Sequence, residues 1–230
     1  MKHFKNFKTC VYCTAQTLAS LDETTLARDY AYLEKYVGID KVYLETYRDG
    51  HMKMIQNFFK EHGVEIAGGI TTVTPPLEKD DVKRQRLFQT FCYSNEAMRT
   101  YLKKIVTYTA ELFDEIILDD FFFTSCTCDD CLRERSNLSW AEFRSKKMID
   151  VAENLVLKPA KLANPSVKVT IKYPNWRESY HETGYVPKIQ PSMFDKIYTG
   201  TETRNTAHTD QHLPRYLSYS IMRYMEHVAP

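Results

Sequence analysis

The sequence predicts an α/β fold of the (β/α)8 TIM-barrel type, with about six strand–helix units in 230 residues. Apolar strand-like runs alternate with amphipathic helical stretches along the chain, and this alternation is typical of parallel strands joined by crossover helices. A doubly wound open sheet would show the same alternation. The barrel is favoured because no glycine-rich phosphate loop follows the first strand, and polar residues follow many strands rather than one switch point.

Each strand is indicated by a short apolar or β-branched run, and each helix by apolar residues at helical spacing. Leu26, Tyr30 and Leu33 mark the first helix in this way, and Gly63 ends the second. The predicted strands cover residues 8–12, 41–46, 64–70, 115–118, 167–172 and 196–199. The predicted helices cover residues 22–37, 51–61, 95–112, 140–162 and 213–227. A complete barrel takes about 250 residues, so we expect residues 1–230 to form a single, partial barrel domain without the last two units.

Composition and charge narrow the function classes. The chain is 43% hydrophobic and carries a formal net charge of +1, which gives no field for gathering nucleic acid or an anionic membrane. No run approaches the roughly 20 apolar residues of a membrane span, and the segment after the basic start is too polar for a signal peptide. We therefore expect no nucleic-acid partner and no membrane partner. As the sequence is written, we expect a cytoplasmic protein. If the N-terminus is truncated, a periplasmic or secreted protein is expected instead. The sequence leaves the oligomeric state open.

Polar and aromatic side chains follow the predicted strands, at the barrel face where active sites form. The expected catalytic residues are Asp119 and Asp120 after strand four and Glu202 after strand six. The expected substrate-binding residues are Glu45, Tyr47, Arg48, Lys172, Tyr173, Trp176 and Arg204. Because parallel strands end on one rim, these residues are expected to surround a common pocket.

Such a set suits glycoside hydrolysis, which needs one carboxyl group as a general acid and another as a nucleophile or base. Neighbouring carboxylates beside apolar walls have their pKa values pushed apart, and Phe121 to Phe123 supply such a wall. Simpler interpretations exist. An Asp-Asp pair after a strand can cap a helix, Glu45 and Arg48 can form a structural ion pair, and Lys172 with Tyr173 can orient the acids instead of binding substrate.

The cysteines form a second pattern. Cys126, Cys128 and Cys131 have the spacing C-x-C-x-x-C, which brings three thiolates within reach of one ion, and Cys92 lies upstream as a possible fourth ligand. Four sulfur ligands make a closed, structural zinc site with no open position for catalysis. The alternative is a set of reduced loop cysteines without metal. The sequence indicates no organic cofactor.

Together, the two patterns resemble glycoside hydrolase family 42, the bacterial β-galactosidases. That family has an upstream cysteine, a helix, a fourth strand ending in Asn-Glu and then a C-x-C-x-x-C loop. Here Cys92, the helix from Asn95, Asp119-Asp120 and the three later cysteines follow the same order, between about Phe91 and Leu132. The resemblance implies a carbohydrate substrate, structural zinc at the four cysteines and an acid/base role for Asp120.

The chain departs from the family in two ways. The family's Asn-Glu is Asp-Asp here, and its nucleophile is a glutamate after strand seven, for which this chain has no predicted counterpart. Other barrel hydrolases use an aspartate nucleophile after strand four and an acid after strand six. In that scheme Asp119 or Asp120 attacks and Glu202 donates the proton. The sequence leaves both schemes open.

These patterns are consistent with three functions. The first is a glycoside hydrolase with a two-carboxylate, retaining mechanism, and the second is a noncatalytic carbohydrate-binding barrel that has lost a catalytic carboxylate. The third is a metal-dependent hydrolase, which the lack of histidines at the ends of strands two to six disfavours. The glycoside hydrolase is the function that the sequence favours.

Overall fold

A computed structural model describes residues 4–45, 51–75, 79, 82, 85–119, 121–201 and 216–229. Six parallel strands form one sheet in the order of the sequence. The strands are β1 (Cys10–Cys13), β2 (Lys41–Glu45), β3 (Glu65–Ile70), β4 (Glu115–Leu118), β5 (Lys168–Tyr173) and β6 (Lys196–Thr199). All six lie within one residue or two of their predicted bounds, so the parallel α/β fold is confirmed.

Helices connect these strands. They are α1 (Ala15–Ser20), α2 (Glu23–Tyr36), α3 (His51–Glu61), α4 (Glu96–Leu112), α5 (Asp129–Arg135), α6 (Trp140–Val151), α7 (Lys158–Ala163), α8 (Tyr180–Thr183), α9 (Gln190–Met193) and α10 (Leu217–Val228). A π-helical segment, Ala152–Leu157, joins α6 to α7, and short 3-10 turns form at Leu87–Gln89 and Arg177–Ser179. Among the described residues, no helix is both long and apolar enough to cross a bilayer.

Local sequence signals fix the helix starts. Asp22 and Thr25 form a capping box at α2, and Ser139 and Glu142 form another at α6. The Asn95 side chain accepts a hydrogen bond from the amide of Met98 at the start of α4. Each cap satisfies amides that the first helical turn leaves without a partner, which typically contributes about 1 kcal/mol.

The sheet is strongly curled. The hydroxyls of Tyr43 on β2 and Tyr198 on β6 lie 2.7 Å apart, although four strand spacings would separate these strands by roughly 19 Å in a flat sheet. Tyr43 also donates to Glu115 on β4, which in turn accepts from Lys41 at 3.0 Å and Lys196 at 2.7 Å. Side chains from opposite sides therefore meet in the interior, as they do in a barrel and not in an open sheet.

The described part of the chain is a half-barrel of six strands; it does not form the complete eight-stranded barrel of the predicted fold class. Its two faces alternate along each strand. On β2, Val42 and Leu44 pack against the helices, whereas Tyr43 belongs to an interior cluster with Tyr12, Ala67 and Ile117. Gly68 of β3 lets α4 approach closely, because a Cβ there would collide with the methyl group of Thr109.

Candidate functional site at the strand ends

Glu45 is the last residue of β2 and faces the interior, two residues beyond Tyr43. It is only 8% exposed, and one carboxylate oxygen accepts a hydrogen bond of 2.5 Å from the amide of Ala15 at the start of α1. Burial raises the pKa of Glu45, and the charge of Asp119 raises it further, while the Ala15 amide and the Tyr12 hydroxyl act in the opposite direction. Glu45 is therefore a fixed carboxyl group that holds a proton more readily than an exposed glutamate.

Asp119 directly follows β4. Its amide donates to the carbonyl of Ile70, which extends the pairing with β3, and its carboxylate accepts a hydrogen bond of 3.1 Å from Nζ of Lys172 on β5. The two side chains remain 21% and 27% exposed, so this ion pair lies at the surface of the mouth. Since the charge of Asp119 reaches Glu45, the structure brings Glu45, Asp119 and Lys172 together on one rim.

Tyr173 is placed differently from the expectation. Its side chain is fully buried, its hydroxyl donates to Gln190 at 3.2 Å, and its ring packs against Tyr180 and Tyr185. Successive residues of a strand point to opposite faces, so Lys172 faces the interior and Tyr173 faces the helices. This corrects the expectation that the Tyr173 side chain binds substrate: it packs the core. The ring of Trp176 is half-buried and packs edge-to-face with Phe123, with ring centroids 5.3 Å apart.

Five of the expected site residues lie outside the described part of the chain: Asp120, Glu202, Tyr47, Arg48 and Arg204. Their roles stay predictions.

Phe88, for which the sequence predicts no role, lies beside two of the phenylalanines that follow β4. Phe88 is 53% exposed and lies 5.2 Å from Phe121, ring centroid to ring centroid. Its backbone is in the left-handed region, with φ 52°, and the neighbouring amide of Leu87 donates to Ser125. Left-handed φ is costly for a bulky residue and is often found at functional sites. The segment gave no signal in the sequence, because its shape depends on contacts across the loop.

A cavity of about 310 Å³ follows the end of β5. It is lined by Asn175, Arg177, Glu178, Tyr216, Leu217, Ser220 and Ile221. The Arg177 guanidinium donates to the Ser220 hydroxyl at 3.0 Å and lies 5.5 Å from the ring centre of Tyr224. Arg177 is thus held between the loop and α10, and its position could not be inferred from spacing alone.

The four cysteines of the predicted zinc site come together. Their sulfur atoms all lie within 4.8 Å of one another, with Cys92 Sγ 3.7 Å from Cys128 Sγ and 3.8 Å from Cys131 Sγ. Cys128 is the exposed member and the other three are buried. Trp140 and Phe143 pack against the cluster, and the Arg135 and Arg144 guanidiniums lie over the Trp140 ring.

The four thiols influence one another's ionisation. Hydrogen bonds from Cys131 and Cys92 lower the pKa of Cys126 well below that of an ordinary thiol, and the interaction with Cys126 raises the pKa of Cys92. The pKa of Cys131 is raised to about 12, first by Cys126. Four thiolates at these distances would require a compensating positive charge.

Comparison with known proteins identifies the family to which the chain belongs. A family model described as "probable glycosyl hydrolase, catalytic domain" matches residues 1–230. The chain belongs to this glycosyl hydrolase family. An uncharacterised protein of Saccharolobus solfataricus is 33% identical to this glycosyl hydrolase domain over 251 residues, covering 96% of the chain and 40% of the relative.

Solved structures show the same fold. The cold-adapted β-galactosidase from Rahnella sp. R3 superposes with a TM-score of 0.62 at 12% identity, over 90% of this chain and 41% of that one. A β-D-glucuronidase of Dictyoglomus thermophilum superposes with a TM-score of 0.51 at 11% identity, over 97% of this chain and 34% of that one. The described part of the glycosyl hydrolase domain is therefore a half-barrel that resembles part of these glycosidases, and the chain spans less than half the length of each of the three proteins compared.

Proposed function

We propose that the chain is the catalytic part of a glycoside hydrolase that cleaves O-glycosidic bonds of a carbohydrate by a two-carboxylate, retaining mechanism. The observation that carries this proposal is the acidic mouth, in which buried Glu45 and the Asp119–Lys172 ion pair share one rim at the strand ends. Family membership and the glycosidase-type fold support the reaction class. The more specific likeness to family 42 rests on the cysteine spacing and the strand-four acids.

The ion pair suggests how the strand-four acids divide their roles. Lys172 donates a hydrogen bond to the Asp119 carboxylate and holds it at the mouth, so Asp119 supplies negative charge beside the developing oxocarbenium ion. Asp120, the next residue, corresponds to the acid/base position of family 42. It would protonate the leaving-group oxygen while a second carboxylate attacks the anomeric carbon. It would then remove a proton from the water that releases the sugar.

The second carboxylate is assigned differently in two schemes. In the first scheme Glu202, which follows β6 in the sequence, is the nucleophile. In the alternative scheme Asp119 or Asp120 attacks and Glu202 is the acid. Both schemes break the same glycosidic bond, and both place the two carboxyl groups on opposite sides of the sugar ring.

Substrate binding would use the remaining polar and aromatic groups of the rim. Glu45 can accept hydrogen bonds from sugar hydroxyls, and Lys172 can donate hydrogen bonds to them. Trp176 offers a partly exposed ring for contact with the sugar. Tyr47, Arg48 and Arg204 are proposed to contribute from segments that lie outside the described residues. We propose no nucleic acid or membrane partner.

We further propose that Cys92, Cys126, Cys128 and Cys131 hold one structural zinc ion. The sulfur geometry fits: a Zn–S bond of about 2.3 Å in a tetrahedron places sulfurs about 3.8 Å apart, close to the 3.7 Å and 3.8 Å observed for Cys92. The ion would stabilise four thiolates and link the start of α4 to α5. Four sulfur ligands would leave no position for substrate, so the site would act on stability and not on the chemical step.

The Asp119–Lys172 pair provides the test of the proposed mechanism. We expect Asp119→Asn to lower kcat/KM for aryl glycosides by about 10²-fold, because it removes charge stabilisation of the transition state. Lys172→Met should also reduce kcat/KM, because the Asp119 carboxylate then loses the hydrogen bond that holds it in place. Steady-state kinetics measure both effects.

Asp114→Asn is a matched control at the opposite end of β4. Asp114 accepts from the side chain of Asn164 at 3.0 Å, and the amide oxygen of an asparagine can accept the same bond. Activity within about twofold of the wild type is expected for this variant. Unchanged kcat/KM in Asp119→Asn would reject a role for the ion pair in the reaction.

A further inference from the structure

Tyr12 crosses the interior from β1 to β3. It pairs in register with Tyr43 and belongs to the same interior cluster, but its ring lies directly over Gly69. A Cβ at position 69 would lie 2.7 Å from Cε2 of the Tyr12 ring and 2.9 Å from its hydroxyl oxygen. Any side chain at this position would displace the ring, so Gly69 forms a slot for the phenol.

This slot brings the phenol to Glu45. Gly69 is the register partner of Glu45, so a ring lying over Gly69 has its hydroxyl beside the strand-two carboxyl group. The Tyr12 hydroxyl interacts with Glu45 and favours its ionised form. The amide of Ala15 donates to the same carboxylate at 2.5 Å. Thus β1 and the residue that begins α1 provide two groups that hold one buried carboxylate.

The other charged groups near Glu45 lie on the neighbouring strands. Asp119 follows β4 and repels the ionised form of Glu45, and Lys172 on β5 is paired with Asp119. Glu45 must therefore be held in place against a like charge. Tyr43 lies two residues before Glu45 on the same face of β2. Its hydroxyl points away from the mouth, toward Tyr198 and Glu115.

We propose that Tyr12, seated on Gly69, is a positioning residue that fixes the Glu45 carboxylate opposite Asp119 at the mouth of the barrel. The inference rests on the proposed glycoside hydrolase function and deepens it: the spacing of the carboxylates that face the sugar depends on a hydroxyl from strand one. Removing the hydroxyl would free Glu45 to turn, and a small displacement in such a site can cost a large factor in rate.

The test uses the full chain and two readouts. Tyr12→Phe keeps the ring but removes the hydroxyl, Gly69→Ala displaces the ring, and Tyr43→Phe is the control that removes a different interior hydroxyl. The first readout is the carbon NMR titration of the Glu45 carboxyl in protein labelled at glutamate, with the signal assigned by Glu45→Gln. It requires no turnover. The second is kcat and KM for an aryl glycoside.

We expect Tyr12→Phe and Gly69→Ala to raise the titration midpoint of Glu45 by about half a pH unit or more, because a group that favours the carboxylate is lost. Tyr43→Phe should leave it in place. Tyr12→Phe should also lower kcat by about 10-fold with a smaller change in KM. An unmoved Glu45 titration in Tyr12→Phe, in protein with a wild-type circular dichroism spectrum, would overturn the inference. Absence of hydrolysis by the wild type would count against the proposed function alone.

Discussion

Replacing Asp120 with asparagine is expected to lower kcat/KM for a glycoside with a poor leaving group by about 10³-fold, because the general acid is lost. Asparagine has nearly the same shape as aspartate but cannot donate or accept a proton at neutral pH. The loss should be much smaller for a nitrophenyl glycoside, whose leaving group departs without protonation. Rates for a series of aryl glycosides measure this dependence on the leaving group.

The Glu202→Gln variant separates the two mechanistic schemes. If Glu202 is the nucleophile, both leaving groups should be affected alike, whereas if it is the acid, it should show the leaving-group dependence expected for Asp120. An Asp120→Asn protein with full activity on the poor leaving group, and with an unchanged melting temperature, would remove Asp120 from the reaction.

Loss of the proposed zinc ion is the second change expected to have a large effect, in this case on the stability of the fold. The purified chain is expected to hold one zinc ion, and Cys92→Ser should lose the ion and destabilise the fold by about 4 kcal/mol or more, since loss of a structural metal is among the most damaging changes. Cys92 has the short sulfur contacts to both Cys128 and Cys131, and it connects the segment before α4 to the cysteine loop. Metal analysis by mass spectrometry and urea unfolding measure the two effects.

Cys10→Ser is the matched control, because Cys10 is an exposed cysteine outside the cluster. It should keep its zinc and its stability. A chelator should lower the melting temperature of the wild type and of Cys10→Ser alike. Metal-free wild-type protein with the same unfolding midpoint as metal-loaded protein would show that the four cysteines need no ion.

Much of the fold could be predicted because periodicity reports burial directly. The six strands are short apolar runs, and the long helices carry apolar stripes with capping residues such as Asp22 and Ser139. The short helices were missed: α1 has six residues and α8 has four, too few for a helical period. The π-helical segment from Ala152 was also missed, because it lies inside the predicted helix 140–162 and a local change of hydrogen-bond pattern leaves no mark in composition.

The site shows where local patterns stop being informative. The meeting of Glu45, Asp119 and Lys172 followed from parallel strands ending at one rim. The packing role of Tyr173 could have been inferred as well, because two adjacent strand residues cannot both face the interior. The positioning role of Tyr12 could not be predicted, because it depends on contact with a glycine two strands away. A glycine in a strand does not by itself indicate which side chain packs against it.

The most direct test of the proposed function is product release from a panel of nitrophenyl β-glycosides, including galactosides and glucuronides, by the full chain. We expect nitrophenolate from at least one substrate at a rate well above the uncatalysed rate, and about 10²-fold slower release in Asp119→Asn, which removes charge stabilisation of the transition state. A chain that binds sugars in calorimetry but releases no nitrophenolate would contradict the account and indicate a carbohydrate-binding barrel instead.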